Sequence, residues 1–148
     1  MNDRNVSGVT YAEMDFYNMT YEDSSFDVVI DKGSFDAICL DTDPESEQKY
    51  TKYLSEQIRV LDATSNGKFL IVSLLQGHVF TALLDYFVRG KNNPHFANYE
   101  CDLQLNRLDK ITTVKDSKFV SYLLCITKRV KTAGVSAPPQ LTLKMTAG

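Results

Sequence analysis

Two short aliphatic runs constrain the fold of this chain more than any other feature. The first is Phe26–Asp31 (FDVVID), and the second is Lys68–Leu75 (KFLIVSLL). A nearly continuous apolar run of this length is typical of a strand that is buried on both faces of a parallel sheet. Parallel neighbours need a crossover connection, which is usually a helix. The two runs therefore predict a parallel pair of strands joined through a helix.

An amphipathic helix is predicted between the two runs. Asp43 can accept hydrogen bonds from the free N–H groups of a first helical turn, and Pro44 loses no hydrogen bond at the first helical position. The apolar residues that follow recur at spacings of three and four: Tyr50, Tyr53, Leu54, Ile58 and Leu61. This spacing places them on one face of a helix, which Ser65-Asn66-Gly67 ends.

The other elements complete an α/β pattern. Tyr11–Phe16 predicts a short first strand, and Val79–Gly90 predicts a second helix. Tyr99–Leu108 and Phe119–Thr127 predict a closing antiparallel hairpin. The order strand, strand, helix, strand, helix, strand, strand predicts a layered α/β sheet with right-handed crossovers.

Composition limits the size of the domain and its partners. The 148 residues suffice for one core but not for two ordinary domains, so we expect one domain over 1–131 and an extended or disordered tail over 132–148. A net charge of −3 gives no basic surface for nucleic acid or anionic membrane. No C-x-x-C pair occurs among the three cysteines, which predicts a reducing, cytoplasmic setting and no thiolate metal site.

The segment Asp31–Ala37 (DKGSFDA) is the most informative candidate site. It follows a predicted buried strand, and ligands of α/β sheets bind at the carboxyl ends of the parallel strands. A carboxylate followed by glycine lets the backbone approach a ligand closely. The same residues would also suit a turn that merely ends the strand. Residue types alone leave both interpretations open.

The longer run Ser25–Ile38 (SFDVVIDKGSFDAI) resembles the DKG segment of class I S-adenosylmethionine-dependent methyltransferases. It is similar to the group that methylates lysines or the N-terminus of a translation elongation factor, and to a related domain linked to an endothelin-converting enzyme. The resemblance extends through the helix ending at Leu61 and the strand after Gly67, and covers roughly residues 1–130. It implies a Rossmann-like sheet, S-adenosylmethionine as cofactor, and a protein substrate such as a translation factor.

The resemblance also implies roles for particular residues. Asp15 matches the acid that accepts a hydrogen bond from the adenine amino group, and Phe16 lies beside the adenine ring. Asp31 matches the catalytic acid near the methionine part of the cofactor and the incoming amine. Gly33, with Lys32, shapes the same cofactor-binding motif.

The chemistry suits these residue types. Methyl transfer from a sulfonium is an in-line displacement, so alignment of the two reactants supplies most of the acceleration. A lysine acceptor must be neutral, and deprotonating it at pH 7 costs about 4–5 kcal/mol. Asp31 could orient the amine, while a dry site would lower the amine pKa.

The sequence departs from the family at its start. Its glycines occupy positions 8, 33, 67, 77, 90, 134 and 148, so it holds no G-x-G cofactor loop. It also lacks the strand whose terminal acid holds the ribose. The chain therefore resembles the C-terminal portion of a methyltransferase sheet, with an incomplete S-adenosylmethionine site.

Three hypotheses follow for function. The chain is one part of a protein lysine methyltransferase that needs a complementing segment, a non-catalytic interaction or assembly module, or an unrelated small α/β binding domain. Unpaired strand edges predict self-association or a complementing chain. Whether the chain alone is an enzyme stays open at this point.

Overall fold

The computed structural model describes residues 7–40, 43–90, 96–108 and 120–134, and the backbone of 141–144. In chain order its elements are β1 (Val28–Lys32), α1 (Ser34–Ile38), α2 (Pro44–Val60), β2 (Lys68–Ser73), α3 (Gly77–Leu84) with a π-helical extension (Asp85–Arg89), β3 (Tyr99–Arg107), β4 (Tyr122–Val130) and β5 (Leu141–Lys144). Across the described ranges, no helix has both the length and the apolar character needed to cross a membrane.

The five strands form one sheet in the order β1-β2-β4-β3-β5. β1 runs parallel to β2, with Val28 beside Lys68, and α1 and α2 form the connection between them. β3 and β4 form the predicted antiparallel hairpin, and β4 inserts between β2 and β3. The α/β class, the parallel pair and the hairpin are therefore confirmed. Within the segment expected as a tail, β5 pairs in parallel with β3.

One face of the sheet carries the core. Alternate residues of β2 and β4 point toward the helices, and Phe69, Ile71 and Ile126 are fully buried there. They pack with Leu54 and Ile58 of α2, which belong to the predicted apolar face. Asp43 accepts the Ser46 N–H at 2.7 Å, so it caps α2 as expected. The core therefore forms where alternate residues of the strands pack against the residues of α2 that recur every three or four positions.

Two expectations about the first strands are wrong. Residues 11–16 form no strand, since no neighbouring segment in the described part of the chain lies alongside them to share hydrogen bonds. β1 is not buried on both faces, because Val28 and Ile30 are 48% and 70% exposed. Their face of the sheet has no covering layer among the described residues, and apolar character alone could not reveal this.

A buried lysine ties β4 to the end of α2. Lys128 is 1% exposed, and its Nζ donates to the carbonyl oxygens of Ile58 at 2.8 Å and Leu61 at 2.7 Å. The ammonium also lies 4.1 Å from the centre of the Tyr99 ring. Burial lowers the pKa of Lys128. The cation thus supplies a donor to the Leu61 carbonyl and a second donor to the Ile58 carbonyl, which also accepts the Leu61 N–H at 3.3 Å.

Replacing this ammonium should destabilise the fold. Lys128→Met leaves the buried Leu61 carbonyl without its donor and the Ile58 carbonyl with only the Leu61 N–H, so the free energy of unfolding should fall by about 1–3 kcal/mol in urea denaturation. Lys68→Met is the control, because Lys68 is exposed, and it should change stability by no more than about 0.5 kcal/mol. Equal effects of the two variants would contradict the bridging role.

Candidate functional site

The carboxylate of Asp31, at the carboxyl end of β1, organises the segment that follows it. Asp31 is 4% exposed. Its Oδ1 accepts the Ser34 N–H and its Oδ2 accepts the Phe35 N–H, both at 2.8 Å. These are free N–H groups of the first turn of α1, which a carboxylate stabilises. Asp31 therefore fixes where α1 begins.

Gly33 allows the chain to turn back toward Asp31. Its φ angle is +87°, in the left-handed region that residues with a side chain rarely adopt. A Cβ at this position would meet no atom within 4 Å, so the requirement for glycine is conformational and the space beside it is open. Turn and ligand approach, the two interpretations of this segment, are thus compatible.

Tyr53 of α2 connects Asp31 to Phe16. The Tyr53 hydroxyl donates to Asp31 Oδ2 at 2.6 Å, and burial, followed by this hydrogen bond, raises the pKa of Tyr53. The Tyr53 ring contacts the Phe16 ring edge-on, with 5.5 Å between the ring centres, and stacks on the Phe35 ring, with 6.1 Å between the centres. We call Phe16, Tyr53 and Phe35 the aromatic cluster. It joins the two parts of the predicted site that lie far apart in sequence.

Side chains of α2 hold the segment that carries Asp15 and Phe16. Gln57 Nε2 donates to the Phe16 carbonyl at 3.2 Å, and the Met19 N–H donates to Glu56 Oε1 at 2.8 Å. Arg59 donates to Glu56 Oε1 at 2.7 Å, and this hydrogen bond is the main cause that lowers the pKa of Glu56. The irregular segment is therefore positioned by a helix rather than by a sheet.

An open groove of about 610 Å³ lies beside Phe16, the exposed member of the aromatic cluster. Phe16 and Tyr17 form one wall, Ser34, Ala37, Ile38 and Leu40 form another, and Asp43, Glu45, Ser46 and Lys49 at the start of α2 close it. Phe16 is 43% exposed. Small-molecule sites commonly enclose about 300–1,000 Å³. The groove thus has the size and an aromatic wall suited to a small organic ligand.

The predicted site residues occupy different positions relative to this groove. Phe16 lines it, whereas the Asp31 carboxylate lies behind it and contacts Tyr53. Asp15 is exposed, and its Oδ1 accepts the Tyr17 N–H at 2.9 Å. The structure brings Phe16 and Asp31 together through Tyr53, and Asp15 does not line the groove.

Sequence comparisons show which known proteins the chain is similar to. The chain is 43% identical over 93 residues to the eEF1A lysine and N-terminal methyltransferase of Xenopus laevis, and 35% identical over 81 residues to the human protein of that name. These alignments cover 61% and 55% of this chain. Over the aligned residues, the chain is similar to the eEF1A lysine and N-terminal methyltransferases. The resemblance predicted from the DKG segment is thereby confirmed.

The similarity covers only part of this chain and only a small part of each relative. The chain spans only 13% and 11% of the length of these two relatives. Human EEF1A lysine methyltransferase 2 is 39% identical over 70 residues, which cover 46% of this chain and 28% of that protein. No family model matches the chain. The observed sheet is consistent with part of a Rossmann-like methyltransferase fold.

A solved structure was also found. It is a Thermus thermophilus protein described as a candidate DNA modification methylase, with a TM-score of 0.41 and 14% sequence identity. The match covers 82% of this chain and 51% of that chain.

Sequence reasoning missed two features of this site. Tyr53 was assigned only to the apolar face of α2, because nothing in the helix pattern shows that its hydroxyl reaches Asp31. Asp36 accepts Ser73 Oγ–H at 2.5 Å and the Leu74 N–H at 2.9 Å, which ties α1 to the end of β2. The signal for Asp36 was present, since it lies within the DKGSFDA segment.

Removing the Tyr53 hydroxyl tests how much its hydrogen bond stabilises the protein. Tyr53→Phe keeps the ring contacts and leaves a buried carboxylate oxygen with one hydrogen bond fewer, so the free energy of unfolding should fall by about 1–3 kcal/mol. Urea denaturation followed by circular dichroism measures this change.

Tyr50→Phe is the matched control on the same helix. Tyr50 is also buried, but its hydroxyl has no hydrogen-bond partner among the described residues. Its loss should change stability by less than about 0.5 kcal/mol. If Tyr50→Phe proved as costly as Tyr53→Phe, the hydrogen bond to Asp31 would have no special role.

Proposed function

We propose that this chain forms part of an S-adenosylmethionine-dependent methyltransferase that modifies an amine of a protein. The observation that carries the proposal is the 43% identity over 93 residues to an eEF1A lysine and N-terminal methyltransferase. Since that name includes eEF1A, eEF1A is the first acceptor to test. The three cysteines are free, which supports a cytoplasmic setting for this activity.

Phe16, which lines the groove, and Asp15 and Gly33, which each precede a lining residue in the sequence, fit the cofactor. The exposed face of Phe16 offers a surface for the adenine ring, and aromatic faces stack on flat rings. Asp15 Oδ2 has no partner among the described residues, so it is available to accept the adenine amino group. The open space beside Gly33 leaves room for the methionine part. Asp15, Phe16 and Gly33 thus form the proposed cofactor contacts.

Asp31 is the proposed catalytic carboxylate, and its surroundings define what it can do. A carboxylate offers about four acceptor positions. Ser34, Phe35 and Tyr53 use three of them, which leaves one for an incoming amine. The bound cofactor would supply an electrophilic methyl group on a sulfonium. Asp31 would then orient the amine, and the apolar surroundings would favour the neutral form of the amine.

The proposed site needs residues from elsewhere. The sequence holds no G-x-G loop, and loops of that kind let the backbone approach the cofactor closely. We therefore propose that a complementing segment supplies the loop and the ribose-binding acid. If complementation restores neither cofactor binding nor methyl transfer, the chain is instead a non-catalytic assembly module.

Calorimetric titration with S-adenosylmethionine tests the incomplete site. The isolated chain should show no micromolar binding, and a complementing segment that carries a G-x-G loop should restore it. Micromolar binding by the isolated chain would contradict the claim that the site is incomplete. Absence of binding in both arms would favour the assembly module.

Two substitutions in the complemented protein should separate binding from turnover. Phe16→Ala removes the proposed adenine surface and should raise the cofactor dissociation constant by about tenfold, the equivalent of roughly 1.4 kcal/mol. Asp31→Asn should lower kcat for methyl transfer to eEF1A far more than it weakens cofactor binding. Radiolabelled methyl transfer and calorimetry provide the two measurements.

Tyr21→Ala serves as the control for Phe16→Ala. Tyr21 is an exposed aromatic residue that does not line the groove, and its ring contacts Phe26. Its loss should leave the cofactor dissociation constant unchanged.

Unchanged turnover in the Asp31→Asn variant would contradict a catalytic role for Asp31.

A further inference from the structure

The turn that follows β2 is held in an unusual backbone conformation. Leu75 has a φ angle of +48°, in the left-handed region that residues with a bulky side chain rarely adopt. Its N–H donates to Ser73 Oγ at 2.8 Å, and its side chain packs against the core. Backbone strain of this kind persists only where surrounding contacts maintain it, and it is frequent at sites that bind or react. We call residues 73–76 the β2 turn.

Asp36 supplies the contacts that hold the β2 turn. Its carboxylate accepts Ser73 Oγ–H at 2.5 Å and the Leu74 N–H at 2.9 Å. Because Ser73 Oγ in turn accepts the Leu75 N–H, one carboxylate orients three successive residues. Asp36 belongs to α1, and the residues of α1 that line the groove lie on a different face of this helix. Asp36 therefore connects α1 to β2 on the side away from the groove.

The β2 turn borders the space beside Gly33. β1 and β2 are parallel neighbours, and Lys32 lies beside Val72. Gly33 and Ser73 follow this pair directly, so the two strands end next to each other at the carboxyl edge of the sheet. A Cβ on Gly33 would meet no atom within 4 Å, so the space at this glycine is open. The proposed cofactor site and the β2 turn thus meet at Gly33.

The direction of attack indicates a role for the β2 turn. Under the proposed function, the adenine ring lies at Phe16 and the methionine part occupies the space beside Gly33. In an in-line displacement, the amine approaches the methyl group from the side opposite the sulfur, and this alignment supplies most of the acceleration. The groove lies on one side of α1 and the β2 turn lies on another. A cofactor that enters from the groove therefore leaves the side of the β2 turn for the acceptor.

We propose that the β2 turn forms the wall of the site against which the protein acceptor binds. Leu74, which is 42% exposed, is the residue that contacts the acceptor. Asp36 is a positioning residue, because it acts through the turn that it holds. This assignment rests on the proposed function and adds to it a determinant of acceptor binding.

Two substitutions of Asp36 distinguish positioning from charge in the complemented protein. Asp36→Ala removes both hydrogen bonds, so it should raise KM for eEF1A by about tenfold and leave the dissociation constant of S-adenosylmethionine unchanged. An asparagine can still accept the Leu74 N–H and can donate to Ser73 Oγ, so Asp36→Asn should keep KM within about twofold of the wild type. An equal rise of KM in both variants would overturn the positioning role.

Amide hydrogen exchange of the full chain tests the same role without turnover. The N–H groups of Leu74 and Leu75 should exchange faster in Asp36→Ala than in the wild type, because the contacts that hold the turn are lost. Asp36→Asn should restore slow exchange, and Asp27→Ala, at the other end of β1, is the control. Unchanged exchange in Asp36→Ala would show that Asp36 does not hold the turn.

Binding of eEF1A to the full chain tests the acceptor wall independently of the cofactor. Leu74→Glu should raise the dissociation constant of this complex by about tenfold. Val130→Glu is the control, because Val130 is exposed and lies near the opposite end of β2. No binding by the wild type, or equal affinity of the wild type and Leu74→Glu, would overturn the acceptor wall.

The same experiment separates this inference from the proposed function. If Leu74→Glu weakens binding and the complemented wild type transfers no methyl group, the acceptor wall is supported and the proposed function fails. If the complemented wild type transfers methyl groups and Leu74→Glu changes neither binding nor KM, the proposed function is supported and the acceptor wall is wrong.

Discussion

The buried carboxylate of Asp31 is the interaction on which the rest of the site depends. It accepts two backbone N–H groups of α1 and the hydroxyl of Tyr53. One side chain thereby fixes the end of β1, the start of α1 and the position of α2. Because Tyr53 also contacts Phe16, the same carboxylate determines where the wall of the groove stands. A buried charge is tolerated here because three donors compensate its loss of water.

The sequence predicted those parts of the fold that depend on local pattern. The cap at Asp43 and the apolar face of α2 follow from spacing, and β2 and the hairpin follow from apolar runs. The strand at 11–16 was wrong, because a strand exists only where a neighbour completes its hydrogen bonds. The bond between Tyr53 and Asp31 joins residues 22 positions apart, and no local pattern indicates it. Roles for Asp15 and Phe16 came from resemblance alone.

The open face and free edge of β1 bear on the complementing segment of the proposed function. A segment that extends the sheet would pair with β1 and cover the exposed side chains of Val28 and Ile30. Such pairing would protect an apolar edge, which otherwise favours aggregation. Ile30 does not line the groove, so this edge and the proposed cofactor site can be altered separately.

The central claim is that the groove beside Phe16 belongs to a methyl-donor site. Amide nuclear magnetic resonance of the labelled chain with its complementing segment, titrated with S-adenosylhomocysteine, tests it most directly. We predict saturable shifts at Phe16, Tyr17 and Ser34, and no shifts at Glu100 and Arg129 on the far side of the sheet. Saturable binding that leaves the amides of Phe16, Tyr17 and Ser34 unmoved would contradict the account.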